Sequence, residues 1–182
     1  MGSLNAVKEI HLETIKIFKV PEFWNSYLLN MKADAMMYLS DDVEFFQDTL
    51  ENAITEYEKH FPNFDGVLGL NQVNIPDSQA LQSAFGIIGK NFINYFSNKQ
   101  VWCPSYYRFY GDRELWLFAK SINKFKFCEE AKIFNNHPAF TGEIDYTHKE
   151  VRKYLRQDRI MYEKRQSKNL IWGKTFELIN KE

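Results

Sequence analysis

The chain has 182 residues, of which 45% are hydrophobic and 26% charged, and its formal net charge is −1 at pH 7. This balance is typical of one globular domain with enough apolar side chains for a core, and it excludes a chain without folded structure. The small net charge also excludes a general attraction to nucleic acid or anionic lipid. A partner of either kind would need a local basic patch.

The cysteines and the terminal segments predict a cytoplasmic protein. Cys103 and Cys128 are the two cysteines and lack the Cys-x-x-Cys spacing of a zinc knuckle, so we expect both to be reduced. The sequence shows neither the pattern of a signal peptide nor 18 consecutive apolar residues, so we expect no membrane span. Residues 1–3 are interpreted as a remnant of cloning.

The first third of the chain predicts alternating strands and helices. Leu12–Val20 is rich in β-branched residues and predicts an edge strand that Pro21 ends. Phe23–Met31 predicts a short helix, and the apolar run Ala33–Leu39 predicts a buried strand that stops at Ser40.

The pattern continues through the middle of the chain. Apolar residues at helical spacing from Phe46 to Tyr57 predict an amphipathic helix, and Phe64–Asn71 predicts a second buried strand. Strand, helix and strand in this order predict a parallel pair with a right-handed crossover. Ser78–Phe96 is predicted to be mostly helical despite its two glycines.

The second half adds a helix that opens at Asp112, two short strands within 124–134, and a basic helix over His148–Lys168. The basic helix has eight Lys or Arg residues and three acids. The whole chain, 1–182, therefore predicts a single α/β domain with a mostly parallel sheet flanked by helices, in which 148–182 form a basic C-terminal helix and tail.

Two adjacent carboxylates, Asp41 and Asp42, follow the predicted strand Ala33–Leu39. Ligands of open α/β sheets bind just beyond the carboxyl ends of the strands. Neighbouring carboxylates repel each other, and Mg²⁺ or Mn²⁺ would relieve that repulsion while bridging to substrate phosphates. The alternative interpretation is a turn that caps the next helix, and the pair alone leaves both open.

Asp112 and His137 are the other candidate site residues. Asp112 opens a predicted helix after an aromatic loop, where its carboxylate would either reach the same rim of the sheet or cap the helix. His137 lies in the polar loop after a predicted strand, where a single histidine is commonly a solvated side chain.

The order of these signals resembles the family-2-like glycosyltransferases of the Rossmann-like GT-A fold. Leu39–Glu44 is similar to the Asp-x-Asp-type metal motif, Gly111–Leu115 to the acidic motif of the acceptor site, and His137 to the late histidine of that family. The resemblance covers roughly Ala33–Phe176, and its specificity comes from the order and spacing of short motifs.

The resemblance implies metal-dependent, inverting transfer of a sugar from a nucleotide-sugar donor to the hydroxyl of a carbohydrate or other acceptor. Asp42 would bind the Mn²⁺ or Mg²⁺ that holds the donor diphosphate, and Ser40 or Asp41 would face the ribose. Asp112 would be the general base that deprotonates the acceptor. His137 would be a further ligand of metal or diphosphate, and its nitrogen favours Mn²⁺.

The family also implies a first strand and loop that grip the nucleotide base. Only 40 residues precede Asp41, which is room for one strand, one helix and the strand of the motif. We therefore expect a fold that is incomplete at its N-terminus, because it lacks the nucleotide-binding strand. We also expect weak binding of nucleoside diphosphate by this chain alone. An unpaired sheet edge would favour pairing with a second copy into a homodimer.

Aromatic side chains near Asp112 are candidate walls for an acceptor, because aromatic faces stack on sugar rings. These are Trp102, Tyr107, Phe109 and Trp116, and packing in the core is the alternative role for each of them.

Two rival functions remain open at the level of sequence. One is nucleic-acid binding, in which the Lys and Arg residues around Tyr154 and Tyr162 would meet phosphates. The other is a non-catalytic transferase-like domain kept as an interaction module. Nucleic-acid binding should weaken steeply with salt and ignore Asp42, whereas donor binding should need both the metal and Asp42.

Overall fold

A computed structural model describes residues 19–75, 84–137, 142 and 146–176. The elements, in chain order, are helix α1 (Val20–Asn30), strands β1 (Ala35–Tyr38) and β2 (Val43–Phe45), helix α2 (Thr49–His60), strands β3 (Val67–Gln72) and β4 (Gly86–Gly89), a 3-10 helix (Lys90–Tyr95), helix α3 (Gly111–Ser121), strand β5 (Phe125–Asn135) and helix α4 (Tyr146–Ser167). Among these described residues, no helix is long and apolar enough to cross a membrane.

The five strands form one mixed sheet in the order β1-β4-β3-β5-β2. Only β3 and β5 pair in parallel, while the other three pairings are antiparallel. The prediction of a mostly parallel sheet is therefore wrong. The reason is β4, which lies between β1 and β3 and runs opposite to both.

Within the segment Ser78–Phe96, which was predicted to be mostly helical, Lys90–Tyr95 form a 3-10 helix, and 78–83 lie outside the described residues. The prediction is wrong for Gly86–Gly89, which form strand β4. Its two glycines explain the strand. A Cβ on Gly86 would overlap the carbonyl oxygen of Leu68, and one on Gly89 would overlap the carbonyl oxygen of Phe64. The Gly-Ile-Ile-Gly segment is buried along its whole length, so close backbone approach and apolar burial decide its conformation.

Three strands, β1, β3 and β5, run in the same direction. Both β1 and β3 are antiparallel to β4, and β3 is parallel to β5. The predicted parallel pair therefore has the correct relative direction, but its members are not hydrogen-bonded neighbours. The consequence for function is that the carboxyl ends of β1, β3 and β5 meet at one edge of the sheet.

Most of the other predicted helices and strands are present in the structure. The helices α1, α2 and α4 and the strands β1 and β3 are confirmed, and the two short strands predicted within 124–134 form the single strand β5. Leu12–Phe18 lie outside the described residues. Val20 begins α1 rather than ending a strand, because Pro21 suits the first turn of a helix, where its missing N–H needs no partner.

Helices cover both faces of the sheet. On one face α2 packs through Ala53 and Tyr57 against apolar side chains of β3, β4 and β5. On the other face, Leu28 of α1, Phe118 of α3 and Met161 of α4 join a larger cluster around Trp102. The chain is thus an α/β protein with a five-stranded mixed sheet flanked by helices.

Candidate functional site

A cleft of about 750 Å³ lies at the edge where β1, β3 and β5 end. Its walls are the start of α1, the turn after β1, the residues just before β4, the segment Arg108–Arg113, the end of β5 and one side of α4. All five residues singled out in the sequence line this one cleft: Ser40, Asp41, Asp42, Asp112 and His137. Their chemical roles stay predictions.

The two aspartates occupy the turn between β1 and β2. Asp41 is exposed, whereas Ser40 and Asp42 are half-buried. The Ser40 hydroxyl donates a hydrogen bond to the Asp42 carboxylate oxygen Oδ1. Ser40 therefore orients Asp42 and leaves its second carboxylate oxygen for another partner.

His137 reaches the aspartates through the pairing of β2 with the end of β5. Val43 lies opposite Asn135, and the Asn136 amide donates to the carbonyl of Asp42 at 2.8 Å. The amide of His137 in turn donates to Asn135 Oδ1 at 2.9 Å. This ladder places His137 on the same side of the cleft as the turn that carries Asp41 and Asp42.

The side chains of Asp41, Asp42 and His137 offer ligand atoms that fit a hard divalent cation. Carboxylate oxygens suit Mg²⁺, and an added imidazole nitrogen suits Mn²⁺. The described part of the chain nevertheless holds no group of three or more His, Cys, Asp or Glu side chains arranged to hold a metal ion. The predicted metal ligands, Asp42 and His137, are only two, so their binding of a cation stays a prediction. Such an ion would take one or two protein ligands and complete its shell with phosphate oxygens and water.

Asp112 lies in the first turn of α3, on the wall of the cleft. The residue at the N-cap position is Tyr110, with φ of 68° and no side-chain capping bond, so the expected cap at Asp112 is wrong. Burial raises the pKa of the half-buried Asp112 carboxyl to about 6, although backbone hydrogen bonds from Arg113 and Asp112 itself act in the opposite direction. A carboxylate with this pKa is suited to general-base chemistry near neutral pH.

The loop before Asp112 is fixed by a carboxylate from another element. Asp158 of α4 is buried and accepts hydrogen bonds from three consecutive backbone amides, those of Tyr107, Arg108 and Phe109, at 2.9, 2.8 and 2.9 Å. Charge-assisted bonds of this kind are among the stronger ones in proteins. Asp158 therefore sets the position of the chain that leads into α3.

A second buried carboxylate, Glu114, ties α3 to α4 and to the C-terminal segment. Its Oε1 accepts hydrogen bonds from the Tyr106 hydroxyl and Arg165 Nε, both at 2.7 Å, and its Oε2 accepts one from the Trp172 amide at 3.0 Å. Glu114 is 1% exposed and both of its oxygens are engaged. Its role is structural, which leaves Asp112 as the carboxylate of α3 that faces the cleft.

The aromatic candidates separate into two groups. Phe109 and Trp102 line the cleft, together with Trp24 and Tyr110, which the sequence did not single out. The indole N–H of Trp102 has no hydrogen-bond partner among the described residues.

The other two candidates do not line the cleft. Tyr107 stacks on Tyr154 at 4.5 Å between ring centroids, and Trp116 packs edge-on against Phe125. Packing is the role of these two residues.

Arg108 is a further residue of the cleft that was not predicted from the sequence. This residue is half-buried, lines the cleft, and has no carboxylate partner within the described ranges. A cation in such a position is a candidate for binding an anionic group, because a guanidinium matches carboxylate and phosphate oxygens. Only its place beside an acidic helix opening could have indicated this role in the sequence.

Comparisons of the chain with protein-family models, with curated proteins and with solved structures found no match in any of the three.

Proposed function

We propose that the cleft is the active site of a metal-dependent glycosyltransferase with a GT-A-type fold, which moves a sugar from a nucleotide-sugar donor to an acceptor hydroxyl with inversion. One observation carries the proposal: the Ser40–Asp42 turn, His137 and Asp112 line the same cleft, at the edge where three co-directed strands end. A transferase of this class needs a diphosphate site and a base within one pocket.

In this proposal Asp112 is the catalytic base. The acceptor oxygen forms a bond to the anomeric carbon, the bond from that carbon to the diphosphate oxygen breaks, and the hydroxyl proton passes to the Asp112 carboxylate. The raised pKa, about 6, supports this role, because the group is ionised at pH 7 yet basic enough to hold the proton it receives.

The diphosphate end of the cleft would be formed by Asp42, with Asp41 and His137 nearby. A divalent cation held there would offset negative charge on the departing nucleoside diphosphate. Arg108 supports the same assignment, because it is a cation without a carboxylate partner among the described residues, and its planar guanidinium can bind two phosphate oxygens. Trp24 and Phe109 would receive the acceptor ring, whereas Trp102 behind them is fully buried and supports that wall.

The alternative is a non-catalytic domain with the same ancestry that serves as a binding module. The two functions differ in a single measurable property, because only the transferase consumes a nucleotide sugar.

The test is release of nucleoside diphosphate from a panel of uridine and guanosine diphosphate sugars with Mn²⁺, in the presence of mixed sugar acceptors. We expect Asp112→Asn to reduce turnover by about 10²–10⁴-fold, because the amide keeps the size of the side chain but cannot accept the proton. The control is Asp34→Asn, which removes an exposed carboxylate that does not line the cleft. Absence of turnover with every donor would contradict the proposal and favour the binding module.

A further inference from the structure

The outer side of α4 carries a dense positive charge. Six Lys or Arg side chains of the helix are exposed, and among its described side chains Glu163 is the one exposed acid. The other described acid, Asp158, is buried against the loop before α3. We call the six the basic face: Lys149, Arg152, Lys153, Arg156, Arg159 and Lys164.

The basic face is broad and open. At 3.6 residues and 5.4 Å per turn, its six residues span an arc of about 140° and a length of about 22 Å. Another side of the helix, with Val151 and Leu155, lines the cleft.

Most of these charges are not neutralised by a described carboxylate. Arg159 pairs with Glu163 at 2.9 Å, but Lys149, Arg152, Arg156 and Lys164 have no carboxylate partner in the part of the chain that the structure describes. The whole chain has a formal charge of only −1, so the positive charge is concentrated on this helix. Such concentration favours an extended anionic partner.

We propose that the basic face binds the surface of an anionic phospholipid bilayer. Clusters of four to eight Lys or Arg residues on a surface helix are attracted to acidic headgroups. Ile160 lies in the middle of the basic face with 45% of its surface exposed, where it can enter the boundary between headgroups and acyl chains.

The aromatic residues of α4 argue against single-stranded nucleic acid as the partner. Binding of that kind relies on aromatic faces that stack on bases. Tyr154 is instead stacked on Tyr107 at 4.5 Å and Tyr162 on Tyr110 at 4.8 Å, so the rings are engaged within the protein. The charge remains, but neither of these two described rings is left to stack on a base.

The test is sedimentation with phosphatidylcholine vesicles, with and without phosphatidylserine. We expect binding only to the anionic vesicles, with a decrease as salt screens the charges. Combined Arg152→Gln, Arg156→Gln and Lys164→Gln should lower the partition coefficient about a hundredfold. The matched control, Lys32→Gln, Lys90→Gln and Lys132→Gln, makes the same change in net charge at exposed positions outside α4 and should retain binding. Thermal unfolding of both triple variants verifies the fold.

Two results would overturn the proposal. One is an equal loss of vesicle binding in the two triple variants, which would mean that net charge rather than the basic face is responsible. The other is tighter binding of RNA or DNA than of anionic vesicles at the same salt concentration. Ile160→Ser separates these partners further, because it should weaken vesicle binding several-fold and leave nucleic-acid binding unchanged.

Discussion

The backbone carbonyl of Asp42 accepts a hydrogen bond from the amide of Asn136 at 2.8 Å. This bond extends the ladder between β2 and β5 by one step, and it joins the turn after β1 to the residue before His137. The side chains of Asp42 and His137, far apart in the sequence, are thereby held on one wall of the cleft. The backbone, rather than the side chains themselves, creates the proposed diphosphate end of the site.

The raised pKa of Asp112 predicts a dependence of stability on pH. Its folded-state pKa of about 6 lies above the ordinary 3.8, so folding disfavours the ionised form, and this cost is present above pH 6 and absent below pH 4. Asp112→Asn cannot ionise and should increase the free energy of unfolding at pH 8 by about 1–3 kcal/mol. Urea unfolding at pH 8 and pH 4 measures the difference. An equal effect at both values would show that the pKa is not raised.

Asp158 is predicted to hold the loop before Asp112. Asp158→Asn removes the charge that three backbone amides share, and it should lower the free energy of unfolding by about 2–4 kcal/mol. Hydrogen exchange should accelerate at the amides of 107–109. The control on the same helix is Glu163→Gln, which loses an exposed ion pair with Arg159 and should leave the free energy of unfolding nearly unchanged. Unchanged protection of the three amides would remove this role from Asp158.

We predict that the ion pair between Glu114 and Arg165 contributes to the free energy of unfolding as a coupled unit. Both side chains are buried, at 1% and 0% exposure, so removal of one partner leaves the other charge without compensation. Glu114→Gln or Arg165→Met alone should cost about 3–5 kcal/mol. The double variant should cost less than the sum of the two, and denaturant unfolding of all four proteins measures that coupling. Additive losses would mean that the pair does not act as a unit.

Local patterns in the sequence predicted much of the fold, but not the order of the strands. The helical spacing of Phe46–Tyr57 and the apolar run Ala33–Leu39 fix their own elements. Strand β4 was missed because its conformation depends on close contact of Gly86 and Gly89 with the backbone of other segments. No local pattern records such a contact.

The residues of the candidate site were likewise predicted only where a local sequence pattern marks them. Asp42, Asp112 and His137 could be singled out because each follows a strand or opens a helix. Asp158 could not, because its partners are the backbone amides of a loop about 50 residues away in the chain, with separations of 49 to 51 positions. Arg108 was missed because the significance of a cation without a described carboxylate partner emerges only when its surroundings are known.

The most direct test of the proposed site is paramagnetic broadening of backbone amide signals by Mn²⁺ together with uridine diphosphate. We predict that the signals of 40–43 and 135–137 broaden first and that the effect requires the diphosphate, because the protein supplies only one or two ligands. Asp42→Asn should abolish the broadening, and Asp34→Asn should leave it intact. Broadening that centres elsewhere in the chain, or that survives Asp42→Asn, would contradict a cation and diphosphate site in this cleft.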